Sequence, residues 1–102
     1  MNYLFYQNKF ETLGIGIDIV EIVRFKKKPY LRNKKFYAKV FLPSEIKYCL
    51  KFKNPYPHFA GKFALKEAVI KSTNHSILMI EIQTYYKNSK PAIKLIGKLN
   101  KR

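Results

Sequence analysis

The sequence predicts a single α+β domain, and three observations carry that prediction. Residues 13–20 alternate with period two, residues 58–72 repeat with helical spacing, and residues 77–96 form two short apolar runs around an Asn-Ser-Lys-Pro turn. The order is strand, helices, then hairpin, without the regular alternation that builds a parallel sheet. At 102 residues the chain makes one domain with a modest core, and 47% apolar and 16% aromatic content favours folding over disorder.

In order, residues 1–12 show no clean period and read as an N-terminal extension. Leu13, Ile15, Ile17 and Ile19 then share one face of a short strand, while Gly14, Gly16 and Asp18 occupy the other. Glycines in a strand mark a close approach to the backbone, and Asp18 can serve either as a helix N-cap or as a ligand. Residues 19–28 suit a short helix ended by Pro29. Lys26, Lys27, Lys28, Arg32, Lys34, Lys35 and Lys39 follow, interleaved with Tyr30, Phe36, Tyr37 and Phe41. Such a run is either a solvated face or a dock for something acidic. Leu42-Pro43-Ser44-Glu45 opens the next helix, expected to reach about Lys53, with Pro at its first position but no capping hydroxyl.

His58 to Ser72 is the stretch around which the rest is arranged. Phe59, Phe63 and Ile70 form one stripe of this helix, and Ala60, Ala64 and Ala68 form a narrower one. Glu67 falls between them. A carboxylate on a largely apolar helix needs a compensating cation. Lys71, one turn on, could supply it, and so could a metal ion. Lys62 and Lys66, also one turn apart, flank the aromatic stripe. An acid and three bases beside apolar surface suit a site for a metal and phosphates. Beyond the polar Thr73–Ser76 loop, Ile77–Tyr86 reads as a strand, Asn88–Pro91 as a turn and Ala92–Ile96 as its partner strand, before a basic tail.

The net charge of +15 attracts nucleic acid, phosphorylated ligands or acidic proteins. Eighteen of the 21 basic residues are Lys, a skew that fits an AT-rich coding sequence, so the sign of the charge says more than its size. No eighteen-residue apolar run suggests a membrane span, and the first residues, with Lys9 and Glu11, lack a signal-peptide pattern. Cys49 is the only cysteine, so no disulfide framework is expected. A cytoplasmic protein is the expectation.

Two segments together resemble the signatures of the holo-acyl-carrier-protein synthase family: Gly14-Ile15-Gly16-Ile17-Asp18-Ile19-Val20-Glu21-Ile22 with Arg24, and Phe59-Ala60-Gly61-Lys62-Phe63-Ala64-Leu65-Lys66-Glu67-Ala68 with Lys71. Phe36, Phe41–Glu45, Ile80–Ile82 and Lys90-Pro91 also line up, so the likeness covers about residues 14–97. It implies the 4′-phosphopantetheinyl transferase fold. It also implies transfer of the 4′-phosphopantetheine arm of coenzyme A to a serine of apo acyl carrier protein, releasing adenosine 3′,5′-bisphosphate, in fatty acid biosynthesis. By this resemblance Asp18 and Glu67 are Mg²⁺ ligands, and Glu67 and Lys71 are catalytic. Lys62, Lys66 and Lys71 bind coenzyme A phosphates, and Arg24 with Lys27 and Lys28 docks the carrier protein. The family forms homotrimers. Asn74-His75-Ser76 stands where the family has Gly-Thr-Gly, and the chain is expected to lack the family's final strand pair. A small basic nucleic-acid-binding protein is the competing class, and a shortened transferase with little turnover is a variant of the first. The nucleic-acid reading gives no reason for two of only six acids to stand at ligand-like positions.

Overall fold

The computed structural model describes residues 21–97. The strand expected at 13–20, the extension at 1–12 and the tail beyond residue 97 lie outside the described residues. Helix α1 covers residues 21–26 of the described chain. A 3-10 turn, Tyr30–Arg32, leads to α2 (Lys34–Val40), then α3 (Pro43–Cys49) and α4 (Tyr56–Lys71). A second 3-10 turn, Met79–Glu81, precedes β1 (Ile82–Lys87) and β2 (Lys90–Leu95). The two strands pair antiparallel, with Thr84 opposite Ile93.

Aromatic rings make the core because four separate segments each contribute one or two. Phe25 of α1, Tyr37 of α2, Phe41 after it, and Phe59 and Phe63 of α4 are all buried. The Phe25 ring lies within 5.5–6.4 Å of each of the other four, mostly at tilted or edge-on angles that suit aromatic quadrupoles. Each such side chain contributes roughly 1.5–3 kcal/mol through burial. Tyr37 adds direction. Its hydroxyl donates to the Lys28 carbonyl at 2.6 Å and reaches the Phe25 carbonyl at 3.3 Å, so α2 holds the end of the α1 segment in place. Burial pushes that phenol well above its ordinary range.

Helix α2 was not expected from the sequence. Its lysines Lys34, Lys35 and Lys39 are exposed while Tyr37 and Val40, three apart, are buried. The charge run therefore conceals an amphipathic helix. Helix α3 stops at Cys49, four residues short of the expected Lys53. Leu42 has no acceptor to offer at its start, and the Glu45 carboxylate instead takes the Leu42 N–H at 2.8 Å. The long strand expected from Ile77 to Tyr86 is also shorter. Residues 79–81 turn as a 3-10 helix, with Glu81 accepting the Leu78 N–H at 2.9 Å, and the strand begins at Ile82. A two-residue turn closes the hairpin, with Asn88 and Ser89 both at positive φ (53° and 65°), the hand that matches strand twist.

Candidate functional site

The site is built on α4, and its geometry follows from which way each residue of one helix turns. Lys66 turns inward. Its side chain is wholly buried, and the ammonium donates to Glu45 Oε1 at 2.5 Å, to the Val40 carbonyl at 2.8 Å and to the Met79 carbonyl at 3.1 Å. Three hydrogens meet three acceptors, which satisfies the group. Glu45 is equally committed. Beyond Leu42 and Lys66 it accepts from the Thr84 N–H at 2.7 Å and the Thr84 hydroxyl at 2.6 Å. Lys62, also buried, closes the chain of contacts by donating to Thr84 Oγ1 at 2.9 Å and, more weakly, to the Thr84 carbonyl at 3.4 Å. Both backbone polar groups of Thr84 are thus taken by side chains from α3 and α4, which seals that edge of β1. Burial pulls Lys62 and Lys66 down from the ordinary lysine range, and Glu45 opposes the fall in both.

Lys62 and Lys66, expected to bind phosphate, are both buried and bonded to Thr84 and Glu45 respectively. A phosphate could reach either ammonium only by breaking the Glu45–Thr84 network, whose loss leaves a charge buried without its partner. The missed residue is Glu45, which reads in sequence as an ordinary first-turn acid. Its one available signal was the absent capping hydroxyl at Leu42, which left an acid at this position free to reach further.

Glu67, the next residue along α4, turns about 100° away from Lys66 and is half-buried. Lys71, one turn later, is exposed. The two do not form an ion pair, and among the described residues no side chain or backbone group bonds the Glu67 carboxylate. The other described acids are occupied: Glu21 by Arg24 at 3.4 Å, Glu45 by Lys66, and Glu81 by the Leu78 N–H. Glu67 is thus the one described acid with no hydrogen-bond or ion-pair partner among the described residues. Asp18, its expected co-ligand, lies outside the described residues. Among the described residues no three acids, histidines or cysteines gather as a metal cluster.

The three docking candidates lie together along residues 24–28. Arg24 rests over the Phe63 ring of α4 at 5.5 Å, and Lys28 over the Phe36 ring of α2 at 4.5 Å. Arg24, Lys27 and Lys28 are all exposed, so one cationic strip runs beside the buried aromatic core. A second aromatic group surrounds His58, whose ring stacks on Phe52 at 3.6 Å, with Tyr48 edge-on at 6.2 Å. Partial burial, helped by nearby Lys62, lowers the His58 pKa from 6.5. The Asn74-His75-Ser76 loop is exposed beyond the end of α4. Nothing described connects it to Glu67.

The family model for the 4′-phosphopantetheinyl transferase superfamily matches residues 14–97. The chain belongs to that superfamily. Among individual proteins, it is 49% identical over 59 residues to a holo-[acyl-carrier-protein] synthase of Thermodesulfovibrio yellowstonii, covering 58% of this chain and 52% of that protein. It is 46% identical over 63 residues to the protein of that name from Chlamydia felis, covering 62% and 52%. A longer match, 43% identical over 90 residues, reaches the Clostridium tetani protein of that name and covers 83% and 70%. Against the first of these relatives the chain spans about half their length. No solved structure matches the chain significantly.

Proposed function

We propose that the chain transfers the 4′-phosphopantetheine group of coenzyme A to a serine hydroxyl of apo acyl carrier protein. The observation that carries this reading is the uncommitted, half-buried Glu67 carboxylate with exposed Lys71 one turn away, on the helix that the family match includes. The new bond joins the serine oxygen to the phosphorus of the pantetheine phosphate. The bond that breaks is the phosphoanhydride, so adenosine 3′,5′-bisphosphate leaves and the serine proton is released.

Glu67 fits Mg²⁺, which takes few carboxylates and fills its shell with water and phosphate oxygens. Asp18 would be the second protein ligand. Bound there, Mg²⁺ would neutralise charge gathering on the pyrophosphate. Lys71 is free to approach a phosphate as a mobile point charge, and we assign it the phosphate contact of coenzyme A. Lys62 and Lys66 hold α4 in place from behind, which fixes the direction in which Glu67 points. Arg24, Lys27 and Lys28 would meet the acidic surface of the carrier protein, setting the encounter rate more than the final affinity. A homotrimer, as in the family, and a role in fatty acid biosynthesis complete the reading.

Mass spectrometry of apo acyl carrier protein incubated with this chain, coenzyme A and Mg²⁺ tests it. The expected result is a phosphopantetheine mass increase that disappears with EDTA. Coenzyme A binding without transfer would favour a transferase of little turnover. Neither binding nor transfer, together with tight salt-sensitive binding of DNA or RNA, would replace this reading with the nucleic-acid one.

A further inference from the structure

Four rings meet where the end of α3 faces the tip of the hairpin. Phe52, Tyr48 and Tyr86 follow one another, with ring centroids 5.3 and 5.5 Å apart. His58 covers one face of Phe52 at 3.6 Å. The buried Lys62 ammonium lies 4.8 Å from the Tyr48 ring and 5.6 Å from the Tyr86 ring. The chain of rings is backed from the protein side, yet Phe52 remains 38% exposed and Tyr86 51%. Exposed lysines stand at both of its ends. Lys51, 5.9 Å from the Tyr48 ring, and Lys53 flank Phe52, while Lys87 follows Tyr86 and stands opposite Lys90 in the hairpin. No acid occurs between residues 46 and 66 or after residue 81.

We propose that this surface binds a single-stranded nucleic acid, its bases stacking on Tyr86 and Phe52 and its phosphates meeting Lys51, Lys53, Lys87 and Lys90. Open rings among cations suit a polyanion that carries aromatic planes of its own, and stacking of this kind tolerates any base. A strand matches better than one nucleotide, because cations at both ends of the ring chain call for phosphates on either side of the bases. A duplex keeps the faces of its bases inside the helix and would meet only the lysines. None of these exposed residues has a part in the proposed transfer, so the surface stands whether or not that reading does.

The test is fluorescence anisotropy of the full chain with a labelled oligothymidine of about twelve nucleotides. Binding should weaken with salt at a log–log slope of about −2 to −3, as expected for three or four neutralised phosphates of a single strand. Tyr86→Ala should weaken binding about tenfold, whereas Tyr86→Phe, which keeps the ring, should bind as wild type does. Lys51→Gln with Lys53→Gln should make the slope shallower by about 1.4. A duplex of the same length should bind wild type and Tyr86→Ala equally. In isotopically labelled protein the strand should shift the backbone amides of Phe52, Tyr86 and Lys87. Wild-type affinity of Tyr86→Ala for the strand would overturn the proposal, leaving only the net charge to attract it. So would adenosine 3′,5′-bisphosphate shifting these amides as strongly as the strand at equal concentration, which would make this a mononucleotide site. Shifts caused by phosphatidylglycerol vesicles and not by the strand would also overturn it. The same holds for shifts that follow protein concentration alone, which would make the surface a contact between copies.

Discussion

Lys66 and Glu67 are neighbours on one helix, and each belongs to a lysine–carboxylate combination, yet the two combinations have opposite fates. Lys66 meets Glu45 from another helix, in full burial, with every hydrogen and oxygen engaged. Glu67 and Lys71 sit in the i, i+4 spacing that often yields a surface ion pair, and they form none. The difference is one helical step of about 100°. It teaches that charge on an apolar helix does not announce its purpose. The inward pair locks α3, α4 and β1 together, whereas the half-buried Glu67 has no partner among the described residues.

Breaking the comparison on the side of chemistry has the largest expected effect. Glu67→Ala should abolish metal-dependent phosphopantetheine transfer, read by mass spectrometry, while the denaturation midpoint barely moves. Wild-type turnover in this variant would remove Glu67 from the site. On the structural side, Lys66→Ala strands Glu45 in the interior and should cost about 3–5 kcal/mol in urea unfolding. Replacing the pair together with Lys66→Met and Glu45→Met should recover much of that loss, because two buried charges then leave the core at once. A Lys66 variant as stable as wild type would show that its ammonium is not held as described.

Smaller effects sharpen the same contrast between buried and available groups. Burial pushes the Cys49 thiol up to about 12, so it should resist Ellman's reagent in the folded protein and react promptly in denaturant. Rapid reaction of the native thiol would mean that the α3–α4 contact opens readily. Reversing Lys27 and Lys28 to Glu should slow carrier-protein association and flatten its salt dependence, with stopped-flow rates as the readout. The smallest effect concerns His58. Its folded pKa lies below 6.5, so the unfolded chain binds the proton first, and stability should fall as pH drops from 6.5 toward the folded value. Comparing wild type with His58→Gln at pH 7.5 and pH 5 isolates this contribution. An equal acid loss in both proteins would assign it elsewhere.

Much of this arrangement was legible in the sequence, and the failures have specific causes. The α+β class, α4 and the hairpin follow from periodicity and turn chemistry, which are local properties. Helix α2 was hidden because lysines occupy most of its turns, leaving too few apolar positions to set a period. Residues 80–85 alternate like a strand and the apolar run before them reads as its start, but Glu81 caps the Leu78 N–H and residues 79–81 form a turn instead. At the site, Glu67 stands out in the sequence as an acid on an apolar helix, and the structure leaves it half-buried. The burial of Lys62 and Lys66 was not legible because their partners, Thr84 and Glu45, lie 22 and 21 residues away in sequence. No local pattern reports a long-range ion pair, so a buried lysine and a phosphate-binding lysine look alike on one helix.

The central claim is that adjacent faces of α4 divide structure from chemistry. It is tested most directly by measuring Mn²⁺ binding, through paramagnetic broadening in the presence of coenzyme A, alongside urea unfolding, for Glu67→Gln and Lys66→Met. The account predicts that Glu67→Gln loses the metal and keeps stability within about 1 kcal/mol, as expected for a substitution outside the packed network. It predicts that Lys66→Met loses several kcal/mol of stability and still binds Mn²⁺ under conditions where it remains folded. Metal binding retained by Glu67→Gln, or a fold lost in that variant, would contradict it.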